Sequence, residues 1–209
     1  MTSVRRSFKL SPVVRQRRLL RSLAYSVVLV LAAIFGWQHM GPTGRAKDDW
    51  TAFDHQSYMV SRVVDGDTIH IRPSATGPET IVRLLGIDAP ELHDPSTGQP
   101  AHWAERSKSY LESRAEGKTV TLRLEPIETR DRYDRLLAYV YLSDSDCINL
   151  DLIHDGEAYA DRRFRHTYRP QYEQAENDAR RNLRGLWKDL TENDMPPWRR
   201  VWLHQHDDY

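Results

Sequence analysis

With one cysteine, Cys147, in 209 residues the chain has no means of forming an intramolecular disulfide, so packing, with or without a bound ion, must hold the fold. It has no net charge either, 30 Lys and Arg balancing 30 Asp and Glu. Internal repeats and low-complexity stretches are also lacking, and the length leaves room for one domain of ordinary core size plus appendages. Nine histidines supply no metal-site spacing: His93, His102 and the His204-Gln205-His206 tail read as surface residues.

The zero charge conceals an asymmetry. Residues 1–22 carry seven cations (Arg5, Arg6, Lys9, Arg15, Arg17, Arg18, Arg21) and no acid. Taking these seven from the 30 Lys and Arg leaves 23 against 30 acids, a net of −7 for the remainder. That balance opposes broad electrostatic adhesion to nucleic acid, which depends on many Lys and Arg at phosphates. Phosphate binding must then be local, through a few arginines and a cation.

The basic stretch precedes an uncharged, mostly apolar run of 15 residues from Leu23 to Trp37. As a helix it would span roughly 22 Å against the ~30 Å hydrocarbon core, so residues out to Met40 are needed for a span. A long leading segment, Tyr25 and Trp37 at the two interfaces and no adjacent small-x-small site favour a signal anchor over residues 23–40. The alternative is a cleaved signal peptide, with Gly44-Arg45-Ala46 as a distant site and a secreted product. The positive-inside rule keeps residues 1–22 in the cytoplasm and places everything downstream across the membrane. Residues 41–57, beginning Gly41-Pro42-Thr43-Gly44, read as a linker. Residues 190–209 form a tail in which Trp198 and Trp202 can pack on the domain or meet a membrane or partner.

Between these flanks, residues 58–189 read as one domain. Thr68 to Arg72 and Thr119 to Leu124 alternate as half-buried strands, Leu136 to Leu142 is apolar enough for burial on both faces, and Tyr58 to Val64 and Thr80 to Leu85 make five. Helical spacing joins Ala104, Lys108, Leu111 and Ala115 up to Gly117, and Tyr172, Ala175, Ala179, Leu183 and Leu186 after Pro170. A short helix from Asn149 to Asp155 stops at Gly156. This α+β content is packed most economically as a small closed five-stranded β-barrel with about three peripheral helices, since closure removes exposed edges.

Chemistry concentrates in Asp65-Gly66-Asp67-Thr68 and Val82-Arg83-Leu84-Leu85-Gly86-Ile87-Asp88-Ala89-Pro90-Glu91. Asp67 and Asp88 meet only if the strands between them form a hairpin. Two carboxylates, a carbonyl near Ala89 and water would make a hard oxygen site suited to calcium. Arg83 and Asp88 are five positions apart, so an unbroken strand points them to opposite faces, and a bulge or strand end near Gly86 is required. Glu91, stiffened by Pro90, could orient or deprotonate a water. Arg135, at the end of Arg130-Asp131-Arg132-Tyr133-Asp134-Arg135, suits a phosphate whose charge builds in the transition state.

Together with Asn149-Leu150, Gly156-Glu157-Ala158 and Gly185-Leu186-Trp187, these segments resemble the staphylococcal nuclease (thermonuclease) family over about residues 58–189. The resemblance implies an OB-fold barrel and calcium-dependent cleavage of DNA and RNA at the 5′ P–O bond, leaving 3′-phosphates. It assigns Asp67, Asp88 and the Ala89 carbonyl to calcium, Glu91 to the attacking water, and Arg83 and Arg135 to the phosphate. Arg132 and Tyr133 match the basic-aromatic pair at the nucleotide. Ala89 replaces a threonine, which a backbone ligand survives, and a flanking aromatic is replaced near Arg162. DNA and RNA are the implied partners, with the membrane through the N-terminal segment and no obligate protein partner. Two other classes remain open: a non-catalytic OB module stacking single strands on aromatics, and a calcium-stabilised envelope protein.

Overall fold

The computed structural model describes residues 45–73, 77–93, 98–126 and 128–205. The expected membrane helix at 23–40 and the basic segment before it lie outside them. No helix among the described residues is long and apolar enough to cross a membrane.

Alternation in the sequence becomes alternation in burial. Strands β1 (Ser57–Asp65), β2 (Thr68–Arg72) and β3 (Thr80–Leu84) form an antiparallel meander, followed by the short β4 (Ile87–Asp88). Helix α1 (Arg45–Phe53) precedes them and α2 (Ala104–Ala115) follows. Next come β5 (Thr119–Arg123), β6 (Leu136–Ser143), β7 (Asp146–Cys147), α3 (Ile148–His154), β8 (Tyr159–Ala160), α4 (Arg169–Arg181) and α5 (Pro197–Gln205). β1 pairs β5, β5 pairs β6, and β6 returns to pair in parallel with β3, which closes a five-stranded barrel. β1 carries two register irregularities, near Val60 to Arg62 and Val63 to Asp65, where a nine-residue strand bends around the barrel.

Val60, Val63, Ile69, Ile71, Val82, Leu84, Val120, Leu122, Leu136, Ala138 and Val140 fill the interior, and Leu111, Ala115, Ile148, Leu152 and Ile153 bring helices onto the same core. The fold is the closed five-stranded α+β barrel that the periodicity predicts, consistent with the OB type that the resemblance implies, with more helices around it. Five α-helices stand among the described residues where about three were expected.

Both additional helices fall in segments read as a linker and a tail. α1 packs Trp50 and Phe53 on the core, buries Asp49, and is tied down by Trp50 Nε1 donating to the Glu125 carbonyl at 3.0 Å and by the Tyr58 hydroxyl on the Ala52 carbonyl. A free linker over 41–57 is therefore corrected for residues 45–53. α5 docks through Arg199, which is wholly buried and donates Nη1 to Glu176 Oε1 at 2.8 Å.

Candidate active site

The corner at Gly86 builds the site. β3 ends at Leu84, whose N–H donates to the Asp67 carbonyl at 2.8 Å, and Leu85 N–H donates to the Ala138 carbonyl at 2.9 Å. Buried Asn149 donates its amide to the Leu85 carbonyl at 3.0 Å and accepts from Val140 N–H at 2.9 Å. Gly86 then turns at φ +80°, a left-handed angle that glycine adopts without Cβ strain. The strand parity is broken there, and Arg83 and Asp88 come to one side: Arg83 Nη2 lies 3.1 Å from Asp88 Oδ1 and 2.9 Å from Asp67 Oδ2.

Gly66 brings the other acid in. A Cβ at that position would come within 2.6 Å of Ala89 Cβ and 2.7 Å of Ser107 Cβ, so the β1–β2 turn reaches the Asp88-Ala89 backbone only without a side chain. Contact at that depth lets Ala89 N–H donate to Asp67 Oδ2 at 2.9 Å and Thr68 Oγ1 to Asp67 Oδ1 at 3.0 Å. Arg135 joins through Thr68, its Nη1 3.4 Å from Thr68 Oγ1. Its guanidinium is aimed by Asp131, which accepts Arg135 Nε at 2.7 Å and the Arg135 and Tyr133 backbone N–H groups at 3.0 and 2.9 Å.

Charge at this mouth is crowded. Burial pushes the Asp67 carboxyl well above the ordinary aspartate range, and Asp65 and Asp88 push it further, against the pull of Arg83 and the Ala89 N–H. Burial, then Asp65 and Asp88, likewise raise Glu91, with Arg83 and Arg135 opposing. Burial alone would depress Arg83; Asp67 and Asp88 reverse this and hold its guanidinium charged. Four carboxylates and two arginines thus feel one another across one opening.

Of the residues singled out in the sequence, Asp67, Asp88, Ala89, Arg83, Glu91 and Arg135 gather here. Tyr133 is 64% exposed and stands against the Arg135 guanidinium at 5.6 Å, while Arg132 stacks on the same ring at 4.7 Å. Arg162, where an aromatic was expected, is buried instead and pairs with Glu176 at 2.8 Å. Asp131, Arg163 and Trp198 escaped the sequence reading. Arg163 Nη2 lies 2.8 Å from Asp88 Oδ1, and Trp198 Nε1 donates to Asp88 Oδ2 at 2.8 Å. Only the Asp131–Arg135 spacing of four carried a local signal; the other two contacts depend on tertiary packing.

The donors present fit a hard divalent cation. They are oxygens only, and the two carboxylates converge within 3.1 Å of a single arginine nitrogen while Asp67 is destabilised by like charge, which a cation would relieve. Among the described residues no three Asp, Glu, His or Cys side chains form a ready-made cage, so the Ala89 carbonyl and water would complete the set. Zinc, which takes nitrogen and sulfur ligands, fits poorly.

A closed OB barrel with an acid-and-arginine mouth defines the class: a hydrolase built for a phosphate ester. Comparison with known proteins narrows this. Residues 81–189 match the staphylococcal nuclease homologue family. The chain is 33% identical to a thermonuclease of Staphylococcus intermedius over 77% of its own length and 95% of the relative's. It is 34% identical to an uncharacterized endonuclease of Escherichia coli O157:H7 (70% and 84% of the two chains) and 31% identical to a thermonuclease of Staphylococcus hyicus (80% and 99%). The chain belongs to the staphylococcal nuclease family, and with it to the nuclease hydrolases.

Proposed function

We propose that the protein is a calcium-dependent endonuclease that hydrolyses phosphodiester bonds in DNA and RNA at the 5′ P–O bond, leaving 3′-phosphates. The observation that carries this reading is the convergence of Asp67 and Asp88 on one Arg83 nitrogen, with Arg135 reaching Thr68 beside Asp67 and Glu91 within electrostatic range of both arginines. Asp67, Asp88 and the Ala89 carbonyl would hold calcium, which when bound supplies charge stabilisation at a phosphate oxygen. Glu91, raised toward neutrality, accepts the proton of the attacking water. Arg135 and Arg83 pair with the non-bridging oxygens as their charge grows. Arg132 and Tyr133 lie along the path of the chain entering the site, the ring offering a stacking face.

The domain is proposed to act outside the cytoplasm, tethered through residues 23–40, with release after signal cleavage as the alternative; fractionation of cells expressing the full chain separates the two. For the chemistry, single-stranded DNA, duplex DNA and RNA are digested with calcium or chelator, and product ends are mapped. Cleavage of all three only with calcium, with 3′-phosphate ends, is expected. Intact substrates that are nevertheless bound would support the non-catalytic OB module, and a calcium-stabilised protein that neither binds nor cuts would support a structural one.

A further inference from the structure

Helix α5 lies beyond the stretch that the family profile matches, which ends at residue 189, yet it touches a proposed calcium ligand. It is fixed in place: Arg199 is wholly buried, salt-bridged to the equally buried Glu176, and ringed by Tyr159, Trp187, Trp198 and Trp202 at 5.5 to 5.9 Å. Trp202 stacks on Arg162 at 3.9 Å, and Arg162 holds the second oxygen of Glu176. A buried arginine with one carboxylate and four rings fixes the rotation of the helix about its axis, and that rotation delivers the indole of Trp198 to Asp88.

Asp88 is gripped at both ends. Oδ1 accepts from Arg83 at 3.1 Å and from Arg163 at 2.8 Å, and Oδ2 accepts from Trp198 Nε1 at 2.8 Å. Arg163 is itself held by Asp161 through Nε and Nη2 at 2.9 and 2.8 Å and stacks on the Trp198 ring at 4.8 Å. Three donors thus hold the carboxylate, Arg83 and Arg163 on Oδ1 and Trp198 on Oδ2, and fix its plane beside Asp67.

We propose that α5 is a positioning element of the calcium site: Trp198, with Arg163, locks the Asp88 carboxylate in the orientation that receives the cation. This inference rests on the calcium reading above. A ligand already held by its neighbours loses less rotational freedom on binding metal than a free one, and such outer partners are worth about 10- to 100-fold in metal affinity.

The test is calorimetric titration of the metal-free full chain with calcium, alongside its thermal unfolding. Trp198→Phe keeps the ring and removes the donor; its calcium affinity should fall about tenfold. The calcium needed for half-maximal nuclease activity should rise in parallel, while turnover at saturating calcium recovers to the wild-type value. Arg163→Lys, which keeps the positive charge beside Asp88 and loses the planar fork that grips it from outside α5, should move affinity in the same direction and carries the test if Trp198→Phe does not fold. Tyr110→Phe is the structural control: it removes a hydroxyl that donates to Asp155 at 2.6 Å, outside the contacts that hold α5 and Asp88, so it should lower the melting temperature and leave calcium affinity alone. Wild-type affinity in both Trp198→Phe and Arg163→Lys overturns the positioning role and leaves the calcium reading standing. A wild-type chain that binds no calcium overturns the calcium reading and this inference with it.

Discussion

Glu91 couples electrostatics to chemistry at a single residue. To accept a proton it must be ionised, yet burial and the neighbouring Asp65 and Asp88 favour its neutral form. The acid limb of kcat/KM is therefore expected above the ordinary glutamate pKa when calcium is limiting and to shift down as calcium neutralises Asp88, with activity lost as pH falls through it. Glu91→Gln should fold, bind calcium and lose about 10²- to 10⁴-fold in kcat, the range for a positioned general base. A pH series on both proteins checks the pair, since the variant should lack the acid limb; an unchanged rate would remove Glu91 from the water. Arg135 makes a different demand. Held side-on by Asp131, it is already aimed before substrate arrives. Arg135→Ala should lower kcat by about 10²- to 10³-fold with a smaller change in KM, because its contact strengthens as charge develops. Steady-state kinetics separate this from a loss confined to KM, which would make it a binding residue alone. Much of this site was legible because acids, glycines and arginines lie in short motifs. Arg163 and Trp198 were not, since a hydrogen bond across 110 positions of sequence leaves no spacing to read.

Elements that dock through a long apolar face announced themselves, whereas those that dock through one buried charge and a turn of aromatics did not. Val120 and Leu122, or Leu111 and Ala115, repeat at strand or helix period, and their segments match the observed β5 and α2 closely. α1 and α5 each bury one charged residue, Asp49 and Arg199, and their apolar contacts, Trp50 and Phe53 or Trp198 and Trp202, span a single turn, too short for a sustained helical period. In α1, Asp49 accepts from Arg130 Nε and Nη2 at 2.9 and 2.8 Å and from Thr129 Oγ1 at 2.8 Å, while Arg45 reaches Asp134. The helix thus braces both ends of the turn that presents Arg132, Tyr133 and Arg135. Burial works against it, but the Arg130 guanidinium and the Thr129 hydroxyl hold the Asp49 carboxyl below the ordinary aspartate range. A depressed carboxyl contributes stability that is present above its unfolded pKa and lost as pH falls through the folded one. Asp49→Asn, which leaves the partly exposed Arg130 only the more distant Asp134 as counter-charge, should cost about 1 to 3 kcal/mol at pH 7. The gap to wild type should begin to narrow below about pH 3.9, where the carboxyl of the unfolded chain starts to protonate, and close as pH falls through the lower folded value. Denaturant melts from pH 7 to pH 3 check both the size and the narrowing.

At the scale of the whole molecule, the barrel gathers like charges that the polypeptide alone does not neutralise. Asp67 is buried beside Asp65 and Asp88 with Arg83 as the shared cation, and its carboxyl is raised well above the aspartate range. A carboxyl with a raised folded pKa adds stability that is full below the unfolded pKa and lost as pH rises through the folded value. The metal-free fold is accordingly strained by its own site at neutral pH and relieved on mild acidification. Calcium, held by the ionised carboxylates as proposed, would act in the opposite sense, since their protonation displaces it. At 100 times its dissociation constant a ligand specific to the folded state adds about 2.7 kcal/mol. Scanning calorimetry should thus show a melting temperature raised by calcium at pH 7, restored to the metal-free value by chelator, and raised progressively less as pH falls toward 5. Asp67→Asn removes the ionised ligand together with much of the like-charge crowding. It should melt above the metal-free wild type at pH 7 and give little response to calcium. Equal calcium increments at pH 5 and 7, or an undiminished response in Asp67→Asn, would place the ion away from this mouth.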